Sequence, residues 1–288
     1  MDTSMRTPPL SPLGAMYEEH IGFIKSKNVA GLLSQYTDDC LYISMLTADR
    51  QPLYVRRHEQ LREFFEGRIF GFGDLQVVLN QWAETDNTLM TVEEVSFTPV
   101  QGSPGTVEFY DNWYVRNGRI AIHFAGVVRY PDGTYADGTG FPPGRAPEKH
   151  EPPDTPLGRM YRQHIGFIKD KNVAGILNQY AEDALLIGTL TEGRKPRYVR
   201  GRDQLRDFFN GNFMGLKSLT SRIDQWAEAD NALMIVESID VAQTDGSLAH
   251  MSFCDNWVLR DGRIGVHFAG VVRYPDGSYA LRPSLSSV

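Results

Sequence analysis

Met16, Tyr17, His20, Ile21 and Ile24 recur at steps of three and four residues. That spacing lays one apolar stripe along an α-helix, with Lys25 and Lys27 on or near its solvated side. Asn28 precedes the next apolar run, VAGLLSQY (29–36), and is placed to cap a second helix. DDCLYISML (38–46) reads as a short strand. RRHEQLREFFEGRIFG (56–71) predicts a third helix with Leu61, Phe64 and Phe65 inward and Gly67 near its end. Three β-rich runs follow, at 75–85, 87–100 and 107–130. The last holds Asn117-Gly118 between two alternating segments, the strongest short-range hairpin signal in the chain. Three helices followed by a strand meander predict an α+β domain, its helices packed on one face of a curved antiparallel sheet.

The whole pattern then returns. MYEEHIGFIKSKNVAGLLSQY (16–36) reappears as MYRQHIGFIKDKNVAGILNQY (160–180), and the segment 110–136 reappears as 254–280. Both are displaced by 144 positions, so no insertion or deletion separates the copies. About half of the paired positions are identical, the mark of a tandem duplication. The expected organisation is a flexible tail (1–13), a first domain (14–136), a Pro/Gly-rich linker (137–157) and a second domain (158–283), with a frayed end at 284–288.

Composition narrows the class. In 288 residues, 41% are hydrophobic and 23% charged, as in a soluble globular protein. The net charge of −7 and the lack of a basic stripe argue against nucleic-acid binding. The longest apolar runs, such as IAIHFAGVV (120–128), are too short to span a bilayer, and residues 1–13 lack the apolar centre of a signal peptide. Cys40 and Cys254 fall at non-equivalent positions, which excludes a duplicated disulfide and makes a reducing, cytoplasmic location the expectation.

Candidate chemistry rests on polar residues kept in both copies. Phe109, Asp111 and Trp113 alternate onto one strand face, as do Phe253, Asp255 and Trp257. A carboxyl among aromatics is desolvated, which favours its protonated form and suits it to act as an acid. The other reading is an outward Asp paired with an Arg. His20 and His164 are either a general base or donor, or core histidines bonded to backbone. Simple alternation puts His123 and His267 on the face opposite the apolar one, unless a bulge turns them. His20, His123 and Asp111 have the residue types of a 2-His-1-carboxylate metal site without its local spacing, and no metal is expected. Tyr17/Tyr161, Trp82/Trp226 and Trp113/Trp257 are retained aromatics that would bind substrate if they reach a pocket and fill the core if they do not; Tyr17 is the best placed for a pocket hydroxyl. No nucleophile elbow, phosphate loop, dinucleotide fingerprint or zinc spacing is present, so acid–base chemistry without a cofactor is expected. Candidate wall positions differ: Tyr42 faces Leu186, Ser44 faces Gly188, Met45 faces Thr189, Phe70 faces Met214, and Tyr114 faces Val258. Two pockets with similar polar groups and different shapes follow, or one degenerate pocket.

The motif Y–x–x–H–I–x–F–I–K–x–K–N–V–A–G–x–L–x–Q–Y–x–x–D, followed by Q–L–R–x–F–F and D–N–W–x–x–R–x–G–R–I–x–x–H–F–A–G, resembles the NTF2-like superfamily and within it the SnoaL-like polyketide cyclase branch. The resemblance covers nearly all of both repeats. It implies a cone-shaped α+β barrel open to an apolar pocket. Two fused copies would then form a monomeric pseudo-dimer. It also implies that Asp111 or Asp255 acts as acid or base, while His20 and His164 stand where ketosteroid isomerase-like members carry a Tyr. Tandem proteins of this kind resemble fungal enzymes of polyketide secondary metabolism that open polyene-derived epoxides into cyclic ethers. A hydrophobic polyketide or terpenoid substrate is therefore expected, with epoxide hydrolase or cyclase activity first and isomerase activity second. Because the fold also serves non-catalytic binding proteins, a small-molecule carrier is the reading from another class.

Overall fold

A computed structural model describes residues 7–47, 49–99, 104–141, 151–213 and 215–280. Parts of the expected tails (1–6 and 281–288) and of the linker (142–150), the end of the second β-rich run at Val100, and the Met214 wall position lie outside the described residues. The chain divides into two compact units, Met1–Tyr135 and Ala136–Val288.

In the first unit the elements are α1 (Pro12–Lys25), α2 (Val29–Ser34), β1 (Tyr36–Ser44), β2 (Leu53–Arg56), α3 (Arg57–Phe64), a π-helical turn (Phe65–Ile69), β3 (Phe72–Glu84), β4 (Thr88–Pro99), β5 (Gly105–Arg116) and β6 (Arg119–Arg129). The second unit repeats them as α4 (Pro156–Lys169), α5 (Val173–Asn178), β7 (Tyr180–Gly188), β8 (Arg197–Arg200), α6 (Gly201–Phe213), β9 (Leu216–Ala229), β10 (Ala232–Gln243), β11 (Leu248–Arg260) and β12 (Arg263–Arg273). Each unit forms one six-stranded sheet, in the order β2-β1-β6-β5-β4-β3 and β8-β7-β12-β11-β10-β9. The sheets are mixed, because β1 runs parallel to β6 and β7 parallel to β12. The expected all-antiparallel meander is corrected on this point: the last strand returns beside the first, and the chain direction there makes the pair parallel. The edge strands β2 and β8 also escaped the sequence pattern, being four residues long with one buried position each.

Local chemistry explains the helix starts. Ser11 Oγ accepts from Gly14 N–H at 2.9 Å and Thr155 Oγ1 from Gly158 N–H at 3.0 Å, each ahead of a proline in the first turn. Asn28 and Asn172 cap α2 and α5 in the same way, both at 2.9 Å. The expected tail is thus shorter than 1–13, since α1 begins at Pro12. The hairpin turns Asn117-Gly118 and Asp261-Gly262 have positive φ at both central residues, the conformation that Asn-Gly and Asp-Gly favour.

Within each unit the helices bury their apolar stripes against one sheet face. In the first, Leu13, Tyr17, Leu32, Leu33, Leu61 and Phe64 meet Leu79, Leu89, Trp113 and Ile120. In the second, Leu157, Tyr161, Ile176, Leu177, Leu205 and Phe209 meet Ile223, Leu233, Trp257 and Ile264. Burial of this kind contributes about 25 cal/mol per Å² of apolar surface and is the main term holding each unit together.

Candidate acid–base site

Three neighbouring strands build the polar end of the site. Thr91 on β4 pairs with Asp111 on β5, so Glu93 stands diagonally across from Asp111 on the same face. Trp113 pairs with His123 on β6, which sets His123 diagonally on Asp111's other side. Glu93, Asp111 and His123 therefore form a row across the sheet. From the helix side, His20 reaches the same space. All four line one cavity, whose remaining wall includes Ile21, Ile24, Phe64, Phe65, Val77 and Phe109.

The position of His123 corrects the simple alternation. Tyr114 pairs with Ile122 but Val115 with Ile120, so Ala121 is an extra residue in β6. This bulge turns His123 onto the face that Ile120 also occupies. Gly265 plays the same part in β12.

The hydrogen bonds run in a defined direction. Tyr36 OH lies 2.6 Å from His123 Nδ1, and His123 Nε2 meets Asp111 Oδ1 in a close contact. Burial, then the negative charge of Asp111, pushes the Tyr36 phenol well above its usual range, so Tyr36 is the donor. His123 then carries its proton on Nε2 and donates to Asp111. Trp113 Nε1 donates to the same carboxyl oxygen at 3.1 Å. Both donors engage Oδ1.

His20 is held differently. Gln35 Nε2 donates to the Met16 carbonyl at 2.9 Å, which fixes the amide so that Oε1 faces His20 Nδ1 at 2.8 Å. An acceptor there requires the proton on Nδ1 and leaves Nε2 with its lone pair. Burial, followed by the nearby His123, lowers the His20 pKa to about 4, so the ring is neutral at ordinary pH. The histidine contacts recur in the second unit: Tyr180 with His267 at 2.5 Å, His267 with Asp255, and His164 with Gln179 at 2.8 Å, whereas Trp257 Nε1 makes no hydrogen bond to Asp255. Burial and the nearby His267 lower His164 to about 4 as well.

Glu93 and Glu237 are the residues that sequence reasoning missed. Both are buried, and burial followed by the adjacent Asp111 raises Glu93 to about 8. Burial followed by Asp255 raises Glu237 to about 7. The signal was present in the repeat. In TVEEV, either glutamate can face inward; the second copy reads IVESI, and only Glu93 has a glutamate counterpart.

The retained aromatics stand behind the cavity wall. Trp113 and Trp257 are fully buried. Tyr17 packs edge-on to Trp82, with centroids 5.3 Å apart, and lies 5.9 Å from Trp113. Tyr161 meets Trp226 and Trp257 at 5.6 and 6.0 Å. None of Tyr17, Trp82 and Trp113 is among the residues lining the first unit's cavity. They support the wall and, through Trp113, the carboxyl. Cys40 and Cys254 are buried thiols, pushed up by burial to about 11 and about 12. Among the described residues no group of three or more His, Cys, Asp and Glu has an arrangement that would hold a metal ion, and no helix is long and apolar enough to cross a membrane.

The chain is similar in structure to a Δ5-3-ketosteroid isomerase from Mycobacterium sp., at 19% identity over 40% of this chain and 92% of that one, with a TM-score of 0.36. It is also similar to an LEH-like epoxide hydrolase of M. tuberculosis (10% identity, 39% and 80% covered, TM-score 0.34). A third similar structure is an NTF2-like protein of unknown function from Burkholderia pseudomallei (14% identity, 40% and 89% covered, TM-score 0.36). A comparison with curated proteins finds no match. The model of the SnoaL-like domain matches twice, over residues 17–123 and 161–267, and these two segments hold every polar side chain of the site just described. With both segments folded as α+β domains in tandem, the chain belongs to the SnoaL-like domain family.

Proposed function

We propose that this protein is an acid–base enzyme that opens an epoxide in a hydrophobic polyketide or terpenoid, with an internal hydroxyl or water as nucleophile. The observation that carries this reading is the row Glu93–Asp111–His123, facing His20 at the end of an otherwise largely apolar cavity. Two buried carboxyls side by side cannot both ionise easily, so one keeps its proton and the other serves as base. Glu93, raised to about 8, is the acid. Asp111, fed by His123 and Trp113 on Oδ1, is the base, with His20 Nε2 as a second acceptor.

In this scheme Glu93 gives its proton to the epoxide oxygen as the C–O bond breaks. The nucleophile's oxygen forms the new C–O bond and loses its proton to Asp111 or His20. The proton then returns to Glu93, so none is consumed. The apolar wall folds the substrate and keeps stray water from competing with the internal hydroxyl. Isomerisation would use the same groups on an enolisable carbonyl.

The test is conversion of polyene-derived epoxides by wild type, Asp111→Asn, Asp255→Asn and the double variant. Turnover in wild type and its loss in the double variant is expected. Four proteins behaving alike would replace the enzyme reading with that of a small-molecule carrier.

A further inference from the structure

The two units hold their buried glutamates by different hydroxyls. In the first, Thr91 Oγ1 donates to Glu93 Oε1 at 2.8 Å. The Tyr17 hydroxyl is buried beside Glu93, as the Tyr161 hydroxyl is beside Glu237. In the second, the counterpart of Thr91 is Ile235, and that donor is lost. Ser221 appears instead, where the first unit has Val77 on the cavity wall. Ser221 Oγ donates to Glu237 Oε2 at 2.8 Å and stands 3.0 Å from Tyr161 OH, which itself donates to that oxygen. Thus Thr91 and Val77 in one copy are Ile235 and Ser221 in the other. The donor comes from β4 in the first unit and from β9 in the second.

The consequence is chemical. Glu93 takes a hydroxyl donor from Thr91 on Oε1 and lines the cavity. Glu237 has its Oε2 filled by two hydroxyls, and hydrogen bonds to a carboxylate favour the ionised form. Resting on the acid–base reading above, we infer that the exchange divides the work. The first unit donates the proton that opens the substrate, whereas the second does not. Thr91 and Ser221 set that difference as positioning residues acting through Glu93 and Glu237. The cavity walls agree in direction. The first unit adds Tyr42 and Ser44 to its wall, and these positions are Leu186 and Gly188 in the second.

Two measurements test this. In the first, carboxyl carbons of glutamate are labelled with ¹³C and titrated by NMR, with Glu93→Gln and Glu237→Gln assigning the two signals. Glu93 is expected to hold its proton to higher pH than Glu237. Val77→Ser should narrow the gap from above and Ser221→Val from below. Equal or reversed titration, or a gap that neither variant moves, overturns the division whether or not any epoxide is turned over. In the second, Glu93→Gln should lower turnover at least 100-fold with the second unit untouched, since a lost acid costs on the order of 10²–10⁴. Half or more of the turnover surviving in Glu93→Gln overturns the division while leaving the acid–base reading standing. Absence of turnover in wild type sinks that reading instead, and the titration still decides the division.

Discussion

The two units share a backbone plan and a polar core, and they differ around it. Tyr36, His123, Asp111, His20 and Gln35 have identical counterparts in Tyr180, His267, Asp255, His164 and Gln179, with the same contacts between them. Around this core some residues are kept, Trp113 and Phe65 among them, while others have drifted, Tyr42 to Leu186, Ser44 to Gly188 and Val77 to Ser221. Buried polar networks tolerate little change, because a lost partner leaves a desolvated group costing about 1–3 kcal/mol. Apolar wall positions tolerate more, since similar volumes repack at smaller cost. The glutamates lie on the boundary: the carboxyl is kept while its donor changes strand.

A second contrast lies in the third helix of each unit. α3 gives way to a π-helical turn at Phe65–Ile69, while α6 runs unbroken from Gly201 to Phe213. No length difference accounts for it. Phe65 and Ile69, on the π turn, line the first unit's cavity. π turns insert one residue into the helical ladder and are frequent at functional sites. The start of the helix differs too: Arg57 has φ of 64° where the second unit has Gly201 at 73°. A side chain in that region is strained, and glycine is not.

The comparison can be broken most sharply at the base. Asp111→Asn is expected to lower epoxide turnover by about 10²–10⁴ while leaving the fold intact, as read by circular dichroism. Loss of the same size from Asp255→Asn would make the units equivalent. A smaller effect is expected on stability. Glu93 and Glu237 hold their protons to higher pH folded than unfolded, where a glutamate ionises near 4.5. Groups with raised folded pKa stabilise the fold at low pH and lose that contribution as pH rises through the folded value. His20 and His164, depressed to about 4 from 6.5, are neutral in both states above about pH 6.5 and stay silent there. Between pH 6.5 and 8, then, denaturant stability should fall as pH rises, Glu93 contributing on the order of 2 kcal/mol. Glu93→Gln should flatten much of that slope, and an unchanged slope would contradict the buried-acid assignment. Smaller again, Arg57→Gly should stabilise the first unit by about 1 kcal/mol in a thermal melt, by removing left-handed strain. The reverse change, Gly201→Arg, should destabilise the second by a similar amount.

Much of this was legible in the sequence. Periodicity located the helices, Asn28 its cap, and Asn117-Gly118 the hairpin, because each is decided by neighbours a few residues away. The gapless repeat separated kept residues from drifting ones and drew attention to Asp111 and His20. Three things needed the fold. His123 faces the cavity only because Ala121 bulges, and a bulge leaves the residue count of a strand unmarked. β1 and β6 pair in parallel because the chain returns across the sheet. The tryptophans read as pocket walls because their size and retention suit either role; only packing shows that Tyr17, Trp82 and Trp113 support one another behind the cavity. Glu93 was within reach, since comparing TVEEV with IVESI singles it out.

The central claim is that a protonated buried carboxyl in the first unit drives the reaction. The pH dependence of turnover in Asp255→Asn, where only the first unit keeps its base, tests it most directly. An acid raised to about 8 donates below that pH and is spent above it, so turnover should hold near neutrality and fall about tenfold per unit beyond about pH 8. A rate that stays flat or climbs through that alkaline range would contradict it.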